Sequence, residues 1–274
     1  MAFRADIALW FRSIAARAYV RIYAANREPS WIITEALLPL LTMTAYVFIY
    51  RSLGAPRVYE SLVILGGVMM PFWLTVLWAM AAQFYWDKEQ GNLDLYMASP
   101  SGPIPLLLGM AVGGVVMAGV RAAAVLVLGL LLFRVTFTVA SWPLLVLVFT
   151  LTLSAAYSLG MAAASVYFLV GRAGVKLNLL AMEPVFLLGG FFFPVRSLGF
   201  VLASIACLLP LTVGLDAVRQ LVLAGGHALA FLSVPVETGI LAAMTVVFTV
   251  AATWLMRRME ARGKREGTMS LKWQ

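Results

Sequence analysis

Thiol chemistry and imidazole chemistry are nearly missing from this chain: its 274 residues include one cysteine, Cys207, and one histidine, His227. A single cysteine excludes an internal disulfide and any multi-cysteine metal site. Cys207 reads as a small apolar residue, and His227, after Gly225-Gly226, as a loop residue. Charge is scarce too, at 12% of residues, while hydrophobic residues make up 63%. Soluble domains carry about 25% charged and about 45–50% apolar residues. No polar region is long enough to fold separately, so one membrane domain is expected. No Gly-x-x-x-x-Gly-Lys-Ser/Thr occurs, so no nucleotide cradle of that kind exists here. The absence of His-x-x-x-His, of paired cysteines and of Gly-x-Ser-x-Gly argues against an embedded hydrolase or metalloenzyme. No cleavable signal sequence is read before the first long apolar run near Trp31.

What is present is a series of apolar runs of membrane-spanning length. The expected fold is all-α and polytopic. An amphipathic helix covers 1–30, a six-span domain 31–257, and a basic tail 258–274. The spans are Trp31–Tyr50, Ser61–Ala82, Ile104–Phe133, Pro143–Val170, a short one after Leu179, and Val234–Met256. In the first helix Phe3, Ile7, Trp10, Phe11, Ile14, Ala18 and Ile22 share a face. Arg4, Arg12, Arg17 and Arg21 on its flanks are expected to reach lipid phosphates. Gly171–Lys176 reads as a basic inner loop. Between about 195 and 226 the apolar pieces are too short to span, which suggests an outer re-entrant hairpin.

The net charge of +8 does not indicate nucleic acid, because Lys and Arg gather beside the spans. Fourteen fall in segments assigned to the inside and five in segments assigned to the outside. That asymmetry places both termini in the cytoplasm. The third span carries Gly109 and Gly113, a small-xxx-small pair that admits a second helix closely. Glu35, Arg121 and Glu183 are intramembrane or edge charges. Each is either neutralised by a neighbour or reaches a headgroup, or it lines a path, and a Glu35–Arg121 pair is one option.

One polar island interrupts the apolar sequence, Trp86–Pro100, and such a segment must lie at a membrane face. Leu93, Tyr96 and Met97 share one side of a short helix that Ser99-Pro100 stops. The order Glu89-x-Gly91-x-Leu93-Asp94-x-x-x-Ala98-Ser99-Pro100, then Leu106-Leu107-Leu108-Gly109, resembles the type-two ABC transporter permeases. Asn92 and Asp94 stand where that family usually has Thr or Ser and Glu. Gly189-Gly190-Phe191-Phe192-Phe193-Pro194, Leu209-Pro210-Leu211 and Arg219 match a second family region.

The resemblance implies the membrane half of an ATP-driven exporter of drugs, lipids or polysaccharides in the cell's inner membrane. It implies a coupling helix at about 85–100, with Asp87, Glu89, Gly91, Leu93, Asp94, Tyr96, Ser99 and Pro100 facing a separate ABC ATPase. The first helix would brace that ATPase. ATP and Mg would be held by the ATPase, with no cofactor in this chain. A second permease subunit, preferably identical, and the lipid bilayer complete the partners. Phe191, Phe192 and Phe193 are candidates for an outer gate. The competing reading is an ion-gradient-driven secondary transporter or channel, which needs a buried carboxylate relay.

Overall fold

The computed structural model describes residues 2–26, 29–91, 102–170 and 172–266, and among them every regular element is helical. They are α1 (Ala2–Asn26), α2 (Pro29–Ser52), α3 (Val58–Val76, prolonged by a π-helical turn Leu77–Ala81), α4 (Gln83–Glu89), α5 (Pro103–Phe133) and α6 (Trp142–Val170). After these come α7 (Arg172–Leu188), α8 (Gly199–Ala206), α9 (Pro210–Val222) and α10 (Val234–Glu266). The helix termini follow local chemistry. Gly102, at φ +72°, precedes Pro103 at the first turn of α5, and proline there sacrifices only an N–H with no helical partner. At the other end Arg134 turns into the left-handed region and its N–H caps the Leu130 carbonyl.

Five helices are long and apolar enough to cross a membrane: 33–52, 58–81, 104–133, 142–166 and 234–259. They match the expected first, second, third, fourth and last spans within a few residues. The expected short span after Leu179 lies in α7, which is 17 residues long and already begins at Arg172. The inner loop read over Gly171–Lys176 is therefore helical from Arg172 to Lys176. Likewise the basic tail read from residue 258 continues α10 as far as Glu266.

α3 is the central helix. Of its most apolar window 78% is buried, against 22% for α2 and 17% for α10. Leu62, Ile64, Met69 and Met80 of α3 pack with Met43, Leu107, Met110, Phe191 and Leu211 in one continuous core. Two glycines allow this centrality. A Cβ on Gly66 would overlap the Phe191 carbonyl, and one on Gly67 would press on the Met43 side chain. The outward faces of α2 and α10 stay apolar, with Ile33, Leu41 and Phe48 on one and Val246, Val247 and Val250 on the other. Such faces suit a hydrocarbon solvent.

The two ends of the bundle differ. At one end α1 lies along the start of α5, and its Arg17 reaches Asp87 of α4. At the opposite end α8 and α9 form short, non-spanning helices over the core. The extended segment after α5 is tied to α9, with Thr138 N–H donating to Val222 O at 3.0 Å and Ala140 N–H to Leu221 O at 2.8 Å.

Candidate functional site

The glycine pair on α5 decides where α1 sits. A Cβ on Gly109 would lie 2.6 Å from the Ile14 carbonyl oxygen, and one on Gly113 would lie 3.1 Å from Arg21 Cβ. Only glycine permits that approach, and α1 is the helix that uses it. Ala18 is buried in the contact, whereas Ile7 and Phe11 of the expected apolar face are exposed. The packed face of α1 therefore runs through Ile14, Arg17, Ala18 and Arg21, and Arg17 and Arg21 point into the bundle. Their expected role at lipid phosphates is corrected accordingly: close backbone packing sets the rotation of α1 more strongly than the apolar stripe.

Arg17 Nη2 lies 3.4 Å from Asp87 Oδ2 on α4, and Asp87 Oδ1 accepts from Gln83 Nε2 at 2.9 Å. Arg21 Nη1 donates to the Ala79 carbonyl at 2.9 Å. Ala79 belongs to the π-helical turn, where Ala82 N–H reaches back to Leu77 O at 3.2 Å. The wider i→i+5 winding re-aims carbonyls that an α-helix keeps to itself. Burial raises the Asp87 carboxyl above its ordinary value, opposed by the Gln83 hydrogen bond and by Arg17 and Arg21. Burial also lowers Arg21, to about 10; Tyr157 and Asp87 oppose the shift, while the charges of Arg17 and Arg121 add to it.

These side chains open onto a cavity of about 1110 Å³ between α1, α2, α3 and α5, with Met182 of α7 on its wall. Arg17, Arg21, Thr34, Glu35, Thr75, Gln83 and Arg121 supply its polar lining. Glu35 and Arg121 form an ion pair across it. Arg121 Nε also donates to the Met117 carbonyl at 3.2 Å, and Arg121 is 9% exposed. Leu74, Trp78, Met117 and Met182 supply apolar wall, and Val20 and Leu38, both more than half exposed, stand at the mouth.

The other candidate residues lie elsewhere. Glu183 is exposed on α7 and is not part of the cavity lining. Phe191 and Phe192 are packed in the core, with Phe192 stacked on Tyr46 at 4.5 Å between centroids. Tyr50 Oη donates to Phe192 O at 3.1 Å. Arg219 of α9 holds the whole turn: it donates to the carbonyls of Gly190 and Phe191 at 2.6 Å each, of Phe193 at 3.4 Å and of Leu62 at 3.0 Å. Of the polar island, Asp87, Glu89 and Gly91 are described. Leu93, Asp94, Tyr96, Ser99 and Pro100 lie outside the described residues.

A second polar cluster sits at the far end and had no counterpart in the sequence reading. Asp216 and Glu237 are both buried. Gln220 Nε2 donates to Glu237 at 2.8 Å, His227 Nδ1 lies 3.1 Å from Gln220 Oε1, and Phe231 N–H donates to Asp216 at 2.8 Å.

Five long apolar helices around a large, charged cavity define a polytopic membrane protein. The family profile described as ABC-2 type transporter matches residues 11–223, and the chain belongs to that family. It is a membrane transport permease by that membership, and the family generally works with an ABC ATPase. The chain is 27% identical over 270 residues to the "Inner membrane transport permease YadH" of Escherichia coli strain K12, covering 94% of this chain and 95% of that protein. The proteins of the same name from Escherichia coli O157:H7 and Shigella flexneri align with the same figures.

Proposed function

We propose that the protein is the permease half of an ATP-driven exporter in the inner membrane, driven by a separate ABC ATPase that docks on the stretch from Gln83 to about Pro100. Two permease subunits, preferably identical, pair around the path. The five long helices and α7 make six crossings with both termini cytoplasmic, which agrees with the excess of Lys and Arg on that side. In this reading α1 rests at the cytoplasmic surface, while α8 and α9 form the outer re-entrant hairpin.

The observation that carries the proposal is the Asp87 junction. α4 opens the polar island, and its Asp87 is bound to Arg17 of α1 and to Gln83 just after the π turn. Force applied to the island by a motor reaches α1 and the cavity wall through one ion pair and one widened helical turn. Such a junction suits switching between two packed arrangements rather than continuous bending. The test is purification of the tagged full chain in mild detergent, followed by measurement of ATP hydrolysis. Co-elution of a hydrolysing ATPase subunit, lost when residues 92–98 are scrambled, is the expected result. A chain that transports with no nucleotide-hydrolysing partner refutes it.

The ion-gradient alternative draws on one observation, the buried carboxyls of Asp216 and Glu237 at the outer end. It predicts that Glu237→Gln abolishes transport. The exporter reading predicts that ATP-dependent transport survives that change in folded protein.

A further inference from the structure

The cavity holds more positive charge than its carboxylates answer. Three guanidiniums, Arg17, Arg21 and Arg121, line it. Glu35 is committed to Arg121 and Asp87 to Arg17. Arg21 spends Nη1 on the neutral Ala79 carbonyl, and among the described residues no carboxylate lies in hydrogen-bonding contact with it. Guanidinium donors with a bidentate fork are thus left over beside two like charges, at a depth where an uncompensated charge is costly.

Apart from Thr34, Thr75 and Gln83 the rest of the lining is apolar, and it leads outward from Trp78 and Met117 to the exposed Val20 and Leu38. The volume of about 1110 Å³ exceeds the roughly 300–1,000 Å³ of ordinary small-molecule pockets. A free anion would leave most of it empty.

We propose that this cavity binds an anionic amphiphile, with an oxyanion headgroup of the phosphate or carboxylate type on Arg21 between Arg17 and Arg121 and an apolar chain running past Leu74 and Met117 to the mouth at Leu38. As cargo class it rests on the exporter reading, since that reading makes the cavity part of the path. The anion supplies Arg21 with the paired negative charge that, among the described residues, Arg17 and Arg121 already have. The apolar wall excludes water from the pairing, which strengthens it. Neutral amphiphiles satisfy only the wall, and inorganic anions only the floor.

The test is calorimetric titration of the purified full-length protein in a neutral maltoside detergent. The probes are decyl phosphate below its micelle concentration, inorganic phosphate and decanol. Decyl phosphate is expected to bind at least tenfold more tightly than either of the others. Arg21→Ala is expected to weaken it by about 10- to 100-fold, the range of a charge-assisted pair, and Arg21→Lys by less. Val20→Glu, at the exposed mouth, places a competing carboxylate beside the site without touching the core. It is expected to weaken decyl phosphate at least tenfold and decanol, which gains nothing from the arginines, by clearly less, which keeps the test decisive should Arg21→Ala not fold.

Equal affinity for decanol, equal affinity for inorganic phosphate, or unchanged decyl phosphate binding in both Arg21→Ala and Val20→Glu overturns the proposal. Loss of the ligand class with ATPase co-elution intact removes this assignment alone. Loss of ATPase co-elution with decyl phosphate binding intact removes the exporter reading and leaves the site.

Discussion

Neutralising Glu35 should cost stability in a way that depends on Arg121. Arg121 is 9% exposed on a membrane-length helix, and its anionic partner comes from another such helix. Removing one member of a fully buried pair costs about 3–5 kcal/mol, because the other charge is stranded. The Glu35 side chain is 29% exposed, so water or headgroups recover part of that loss, and about 2–3 kcal/mol is expected for Glu35→Gln. Arg121→Gln strands the less buried partner and should cost about 1–2 kcal/mol on the same reasoning. The double variant removes both charges together, so its cost should fall short of the sum by about 1.5 kcal/mol or more. Reversible unfolding of all four proteins in mixed maltoside and dodecyl sulfate micelles reads these terms. A coupling below about 0.5 kcal/mol, the range of independent sites, would show that Glu35 and Arg121 do not sustain one another.

Three further outcomes follow from the packing. Gly109→Ala places a methyl group 2.6 Å from the Ile14 carbonyl, so α1 must shift. A loss of about 1–3 kcal/mol is expected, together with faster proteolysis between α1 and α2; an unchanged cleavage rate argues against the packing. Arg219→Lys removes the planar fork that reaches four carbonyls, and lysine does not replace such a fork. A drop of about 3 kcal/mol or more is expected in the same unfolding assay, and a cost under ~1 kcal/mol contradicts the clamp. Asp87 has a folded-state pKa raised by burial above its ordinary 3.8. Its contribution is therefore fully present below pH 3.8 and is lost as pH rises through the raised value. Asp87→Asn should flatten that part of the stability profile, and an identical pH dependence in the variant refutes the assignment.

Much of the layout was legible because hydrocarbon demands long apolar helices, and those runs stand out in any such sequence. Arg17 and Arg21 were misplaced because an arginine beside an apolar stripe was assumed to seek phosphate. The correcting signal was present: Gly109 and Gly113 require a helix in near contact, and Arg17 and Arg21 share a face with Ile14 and Ala18. The basic stretch Arg172–Lys176 looked like a loop because charge was equated with irregular backbone. The π turn at Leu77–Ala81 left no mark in an uninterrupted apolar run. The Arg219 clamp was hidden for another reason, since its acceptors lie between 26 and 157 residues away in sequence.

The central claim is that this permease is moved by a motor pressing on the polar island. Placing a photo-crosslinking phenylalanine analogue at Gln90, the exposed residue just after α4, tests it in intact cells. The account predicts a crosslinked product containing a chain with the Gly-x-x-x-x-Gly-Lys-Ser/Thr nucleotide-binding sequence. A crosslink to outer-compartment proteins, or none to any such chain while transport continues, would contradict it.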